Sequence, residues 1–395
     1  MKQEIFTKTA PGTLLPLEGE ILTGYGPVEY HTCAFRPDRL DGYPEPTLPV
    51  MAAVSRATSA IGKLESLGAG IPNPGLLLRP TVRREAQSTS ALEGTYERFE
   101  TVLAADYEVG ETKQHFSESM REVLNYVDAW NHGVLSVKEG RPIGVSLIRE
   151  LQQLLVMGTR SQNDQAGDLR STQVFIGAAN RRIEDARFVP MPPGQPLADE
   201  VGALFGWWAQ RSDPGVAVLE SAMFHYQFET LHPFTDGNGR IGRLLILLQF
   251  MQRDLLHEPL MSISPWFESR RGDYQDLLLG VSTAGAWEDW ILFFCQGIEE
   301  SANEALVRVK ALIELTSRYR ERASSYGQTT HRVAELLIGS PYVTVPVVAD
   351  RLQIGRSSAA NAVRNLVKEG ILKQTRTTGT RAEEYVAWEV MDALR

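Results

Sequence analysis

The stretch "LHPFTDGNGRIGRLL", Leu231 to Leu245, decides how the rest of the chain is read. It sets a histidine, an aspartate, an asparagine, three glycines and two arginines between two apolar helical segments. Pro233 disfavours helical backbone at His232, so the first helix ends there and the imidazole is placed at a helix terminus. Gly237 and Gly239 permit tight turns and leave main-chain N–H groups unobstructed. Those amides open the next helix, where unpaired N–H groups and the helix dipole attract phosphate. Arg240 and Arg243 share a face near that positive end. Asp236 offers a hard oxygen to Mg2+, the usual companion of nucleotide phosphates. Histidine is the side chain best suited to accept a proton near neutral pH. Together these parts predict transfer of a phosphate-containing group to a hydroxyl.

Other readings of the stretch fail or are weaker. "DGNGRI" also occurs in EF-hand loops, but with Asp236 as third ligand the first would be Phe234 and the last Leu245, and neither binds calcium. A Walker loop needs GK(S/T) after the glycines, which this stretch does not have. The plain alternative is a glycine-rich turn with a capping aspartate and two solvated arginines. Each residue taken singly fits it; their concentration in one loop favours the site.

The whole chain has 395 residues and a net charge of −9, with 43% hydrophobic and 23% charged residues. That length suggests two or three domains, and that composition is ordinary for a soluble globular protein. The acidic balance argues against a bulk nucleic-acid or membrane binder. The two cysteines, Cys33 and Cys295, form no CxxC pair, which argues against a thiolate metal site and fits a reducing compartment. The N-terminus lacks the apolar core of a signal peptide, and the most apolar run, Leu244–Met251, is too short to span a bilayer. A cytoplasmic protein with no membrane partner is expected.

Residues 1–49, rich in Pro and Gly, read as an extended arm or a strand-and-loop lead-in. Helical periodicity begins at Val50. It continues at Thr81–Leu92, which ends at Gly94, and at Phe116–Leu135, Val145–Met157 and Leu197–Gln210. Further helices are expected at Gly215–Thr230, Gly239–Leu255, Phe267–Val281 and from Trp287 to Ala323. Between the fourth and fifth of these, "RSTQVFIG" and "AANRRIEDARFVP" read as a short β-hairpin. From Gln328 on, three helices, the second led in by a strand in "VTVPVVADRLQI", are followed by an alternating hairpin turning at Gly379, the order of a winged helix-turn-helix. The last of the three helices places Ala359, Val363, Leu366 and Val367 on one side.

"HPFTDGNGRIGR", His232 to Arg243, resembles the Fic family hallmark HPFx(D/E)GNGRxxR and matches it throughout. Supporting resemblance runs from about residue 50 to 320 and includes "LRSTQVFIG", "FVPMPP" and "WEDWILFF". The resemblance implies a mainly α fold, a Fic-type helical bundle with a small β-hairpin flap. With the C-terminal part it gives four segments: an arm at 1–49, a helical region at 50–110, a Fic catalytic domain at 111–323 and a winged-helix domain at 328–395. It also implies a protein adenylyltransferase that moves AMP from ATP, with Mg2+, to a Ser, Thr or Tyr hydroxyl of a protein, either itself or another target. His232 would deprotonate that hydroxyl, Asp236 would hold Mg2+, and Gly237, Asn238 and Gly239 would form the anion hole. Arg240 and Arg243 would grip the outer phosphates. Val174, Phe175, Ile176 and Gly177 would be the flap that pairs by backbone with the target peptide. Tyr274 aligns with a tyrosine pair near the family's adenine pocket, but its second member here is Gln275, so a core or groove-wall role is the alternative.

"STSALEG" resembles the family's inhibitory element, Ser/Thr-x-x-x-Glu-Gly/Asn, supplied by Thr89, Glu93 and Gly94 on a helix at about 81–94. The resemblance implies that Glu93 pairs with Arg243 and occupies the charge meant for the γ-phosphate. The same glutamate supports the removal of AMP in a second, lower-ranked reading. The C-terminal part carries a local charge of its own: six Lys or Arg and one Glu between Arg356 and Arg381. Arg356, Ser358, Asn361, Arg364 and Arg376 are candidate DNA contacts. The alternative class of function is therefore a DNA-binding regulator whose nucleotide-binding core acts as a sensor. The sequence leaves the oligomeric state open, a homodimer among the options.

Overall fold

The computed structural model describes residues 1–395 except 24–25, 43–44, 70–72, 106–115, 178–184, 376–382 and 395. Two strands open the chain, β1 (Gly12–Thr23) and β2 (Gly26–Pro37), paired antiparallel from Gly12 with Pro37 to Thr23 with Gly26. Of the two readings of the Pro- and Gly-rich segment, the strand one holds: it is a ladder of 12 residues a side and not an arm. Pro16 and Gly19 look like breakers in the sequence, but a two-stranded ribbon is all edge, where a missing donor is tolerated.

Helices then dominate: α1 (Leu48–Gly68), α2 (Gly75–Leu92), α3 (Phe99–Ala104), α4 (Glu118–Lys138), α5 (Val145–Val156), α6 (Gln195–Ala209), α7 (Ala217–Leu231), α8 (Asn238–Gln252), α9 (Ser264–Ser269), α10 (Arg271–Ala284) and α11 (Trp287–Arg322). The C-terminal part continues with α12 (Gln328–Gly339), β3 (Tyr342–Thr344), α13 (Val345–Leu352), α14 (Arg356–Lys368), β4 (Lys373–Gln374), β5 (Glu384–Val386) and α15 (Trp388–Leu394). The mainly helical class expected from the sequence is observed. Three details differ. α2 begins before Thr81 and carries Pro80 inside it. The single helix expected at Phe267–Val281 is two, broken at Arg270 (φ −124°, ψ 32°). The short helices α3 and α15 were not expected. No helix among the described residues is long and apolar enough to cross a membrane.

The chain divides into two compact units. One comprises Met1–Ile61, Asn125–His257 and Trp266–Glu300. In it α7 and α8 pack together and are buried along nearly their whole length, polar side chains such as His225, Arg240 and Arg243 included. The β1–β2 ribbon lies against the segment that leads to and from the expected flap. Phe35 N donates to Val189 O at 2.9 Å, and Tyr30, Cys33, Ala34 and Phe35 share an apolar cluster with Ala186, Phe188 and Val189. Phe175 and Ile176 pack on the same cluster.

The other unit comprises Gly62–Leu124, Glu258–Pro265 and Ser301–Arg395. Here α2 packs on α12. Pro80 has no N–H to give the Leu76 carbonyl, and Gly339 at the end of α12 backs onto that carbonyl: a Cβ at 339 would lie 2.4 Å from Leu76 O. Arg84 Nη1 donates to Leu394 O at 2.9 Å, tying α2 to the end of α15. Buried Glu85 accepts from Ser264 N at 3.0 Å. In the C-terminal part α12, α13 and α14 pack together, and a three-stranded antiparallel sheet has the order β3-β5-β4. The expected order of helix, strand, helix, helix and two further strands is present, and the turn expected at Gly379 lies outside the described residues. The buried side of α14 is Ala359, Ala362, Val363 and Leu366. Val367, expected there, is 38% exposed, because one residue turns a helical position by about 100° and Ala362 takes the inward place.

Candidate active site

α7 ends at Leu231, and His232 caps it in the left-handed region with φ 49° and ψ 63°. Pro233 follows, as the sequence reading required. The half-buried His232 ring points its Nδ1 at Glu229 O, 3.2 Å away. A carbonyl only accepts, so Nδ1 carries the proton and in the neutral ring Nε2 keeps its lone pair. That is the tautomer a proton acceptor needs.

The loop between α7 and α8 is closed by its own side chains. Asn238 Oδ1 accepts from Phe234 N at 2.8 Å, and Asn238 Nδ2 donates to Phe234 O at 2.8 Å. The Asn238 side chain, 2% exposed, is therefore spent on the loop, and only its main chain remains for an anion. Gly237 has φ 89°, so the backbone favours glycine; a Cβ there would lie 2.6 Å from Leu155 Cδ2, which a leucine can relieve by turning its side chain. Asp236 Oδ1 accepts from Gly237 N at 2.7 Å and from Arg240 Nη2 at 3.2 Å. Burial works against ionisation of Asp236, but the Arg240 charge with hydrogen bonds from Ser161 and Gly237 outweighs it and holds the carboxyl below its ordinary value. The side chain is still 41% exposed. Arg240 and Arg243 leave the first turns of α8 and are 3% and 1% exposed. Gly239 stands between Asn238 and Arg240 in the same buried first turn. The structure thus gathers His232, Asp236, Gly237, Asn238, Gly239, Arg240 and Arg243 on one helix junction.

Three expected residues or segments lie differently. Val174, Phe175 and Ile176 are half-buried and Gly177 is exposed, but the segment is no regular strand. Its only bridge among the described residues joins Ile176 to Phe188, with N···O distances of 2.8 and 3.2 Å, and the hairpin turn lies outside them. Tyr274, expected at a nucleotide pocket, is 5% exposed in a cluster with Phe267 and Trp290, and its hydroxyl bonds His225 Nε2 at 2.9 Å. It is a core residue here. Arg376 lies outside the described residues.

Some contributors were not singled out in the sequence. His225 is buried on α7; burial, helped by the Arg243 charge, pushes it down to about 3, so it is neutral beside that arginine. Gln152 on α5 donates to Asp236 O at 3.2 Å and accepts from Gly167 N at 2.6 Å, fixing the loop from outside. Arg170, 2% exposed, donates from Nε to His232 O at 2.8 Å and from Nη2 to Met191 O at 2.5 Å and Leu231 O at 3.4 Å. Its Nη1 reaches Thr172 O at 3.3 Å, and its own N–H donates to Pro233 O at 2.9 Å. No sequence signal marks these three beyond Arg170's place in "LRSTQVFIG".

In the other unit, Thr89 is fully buried on α2 and Glu93 is the exposed C-cap. Gly94 follows with φ 92°; its N–H bonds Ala91 O at 3.0 Å, and Thr95 N bonds Ser90 O at 2.9 Å. This is a Schellman closure, which satisfies the last carbonyls and fixes where the Glu93 side chain leaves the helix.

Residues 51–135 match the Fic/DOC family N-terminal model, and residues 142–250 match the Fic/DOC family model. The crystal structure of a Fic family protein from Desulfovibrio desulfuricans G20 shares the fold with a TM-score of 0.54 at 19% identity, covering 87% of this chain and 97% of that one. The chain is a Fic domain protein. It is 33% identical over 116 residues, 29% of this chain and 20% of the relative, to protein adenylyltransferase fic-1 of Caenorhabditis briggsae. It is 32% identical over 135 residues, 32% of this chain and 23% of the relative, to a uridine 5'-monophosphate transferase of Xanthomonas campestris. The chain thus spans about a fifth of the length of these curated relatives.

Asn238→Ala tests the loop closure. It leaves the buried Phe234 N–H and C=O without their partner and is expected to lower stability by about 1–3 kcal/mol in urea denaturation. An unchanged midpoint would mean that the loop does not depend on this clamp.

Proposed function

We propose that the protein is a protein adenylyltransferase that transfers AMP from ATP to a Ser, Thr or Tyr hydroxyl. The observation that carries this reading is His232 with its proton on Nδ1 at one end of a glycine loop, and two buried arginines on the first turns of the helix at the other end. In the proposed step His232 Nε2 takes the proton of the target hydroxyl. The hydroxyl oxygen attacks the α-phosphorus, the bond from that phosphorus to the bridging oxygen breaks, and pyrophosphate leaves with the electron pair. The main-chain amides of Asn238 and Gly239, joined by that of Gly237 once Asp236 turns from it toward a metal ion, and the guanidinium groups of Arg240 and Arg243 would hold the phosphates and spread the developing charge.

A divalent cation fits this donor set. Among the described residues no three His, Cys, Asp or Glu side chains gather as a metal cage. One ionised and partly exposed carboxylate, Asp236, suits Mg2+, which is held by one or two carboxylates and completes its shell with phosphate and water. Such an ion would neutralise charge on the phosphates. The flap assignment of Val174–Gly177 is supported by the segment's partial exposure and its single bridge, which leave backbone groups for an added strand. The buried thiols Cys33 and Cys295 suit the cytoplasmic setting we propose.

Glu93 is proposed as the brake, through pairing with Arg243. A carboxylate at the C-terminal end of α2 stands at the negative end of the helix dipole, a placement unfavourable by about 0.3–1 kcal/mol. Local helix chemistry does not favour it, and a task elsewhere does. In the same unit, Arg356, Ser358, Asn361 and Arg364 are exposed on α14 opposite its buried face, and Lys373 is exposed on β4. We propose that this face binds DNA through phosphate contacts and base edges.

Three outcomes test these readings. Transfer of label from α-32P ATP to protein is expected, and His232→Ala should lower it about a hundred- to ten-thousand-fold; label retained in that variant overturns the assignment, and faster transfer from UTP would make the donor uridylyl instead. Glu93→Gly is expected to raise self-modification at least about tenfold, about 1.4 kcal/mol of barrier; an unchanged or lower rate overturns the brake. A duplex DNA gel shift at physiological salt is expected to weaken in Arg364→Ala and Arg376→Ala, and equal retardation by both variants would remove the DNA reading.

A further inference from the structure

A guanidinium buried in a protein is ordinarily neutralised by a carboxylate, because an uncompensated charge in the interior is strongly destabilising. Among the described residues Arg170 has no such partner. Every acceptor of its guanidinium there is a main-chain carbonyl: Thr172, Met191, Leu231 and His232. Burial pushes its pKa down to about 10, which still leaves it charged at neutral pH. A charge kept at that cost is kept for its shape. The carbonyls it gathers belong to both limbs of the hairpin stem, at 172 and 191, and to the last turn of α7. With its own N–H on Pro233 O, Arg170 holds three consecutive carbonyls around His232.

Those carbonyls flank a strained residue. His232 has a left-handed backbone ahead of a proline, a strained state that persists only where its surroundings over-determine it. The same stretch sets the imidazole's Nδ1 against Glu229 O. We infer that Arg170 is a positioning residue that locks the left-handed turn at His232 to the stem of the 172–191 hairpin, so that the proton acceptor and the substrate-pairing segment keep one register. A planar fork of five donors can satisfy carbonyls diverging in this way; the compact ammonium of lysine cannot. In its rate arm the inference rests on the transfer reading.

The test compares the brake-released Glu93→Gly protein with the same protein carrying Arg170→Lys or Arg170→Gln. Both are expected to lose about 100-fold in kcat for self-modification while ATP affinity is unchanged, with no rescue by the lysine that keeps the charge. Parental kcat in Arg170→Lys, or ATP affinity lost in step with kcat, overturns the inference. A second measurement does not depend on activity. In 15N spectra of labelled histidine in the full chain, His232 is expected to carry its proton on Nδ1 and to become a tautomer mixture in Arg170→Lys; an unchanged signal overturns the inference. Should Glu93→Gly protein with Arg170 intact transfer nothing, the transfer reading falls, and the histidine spectrum alone decides the role of Arg170.

Discussion

His232 occupies a backbone conformation, φ 49° and ψ 63°, that a residue with a β carbon adopts only under restraint, and the proline after it disfavours helical backbone further. The rest of the site follows from holding that turn. α7 must stop there, the chain must double back within a few residues, and α8 must start with its amides facing the same space. Arg170 restrains the turn from the hairpin side, the Asn238 clamp closes it from within, and Gln152 pins Asp236 from α5. None of these three groups has to touch a substrate. They convert a flexible glycine loop into a fixed cradle, and that is what electrostatic stabilisation of a transferring phosphate requires.

Much of this site was legible in the sequence because its logic is local. Proline ends a helix, glycine frees a turn, and the next helix begins a few residues on, so the junction of α7 and α8 can be drawn from fifteen letters. The supports were not legible. Arg170 gathers carbonyls from residues 172, 191, 231 and 232, and no spacing in the chain announces that meeting. Tyr274 stays open in the sequence for a related reason: a motif places it by a pocket or in the core, and only tertiary packing shows its hydroxyl on His225.

The fold shows the same division. Long amphipathic helices were found within a few residues of their ends. In the sequence the β1–β2 ribbon stands between an arm and a strand-and-loop lead-in because Pro16 and Gly19 mimic loop composition, and its pairing reveals the length of the ladder. The start of α2 was missed because Pro80 was taken as a boundary; it sits inside the helix, where Gly339 closes over the Leu76 carbonyl that Pro80 leaves unbonded. Sequence patterns report the energetics of single elements, and these misses arose where two elements share one solution.

That last contact has a bearing on how the chain can be divided. α2 leans on α12 through main chain, without an intervening side chain at position 339, and Arg84 is moored to the carbonyl of Leu394. The C-terminal helices are therefore part of the scaffold of α2. A chain cut after α11 would strip an apolar flank from the very segment that carries Glu93. Any rise in activity from such a shortened protein would then record a helix that has lost its bed, and would say nothing about a ligand leaving the C-terminal helices.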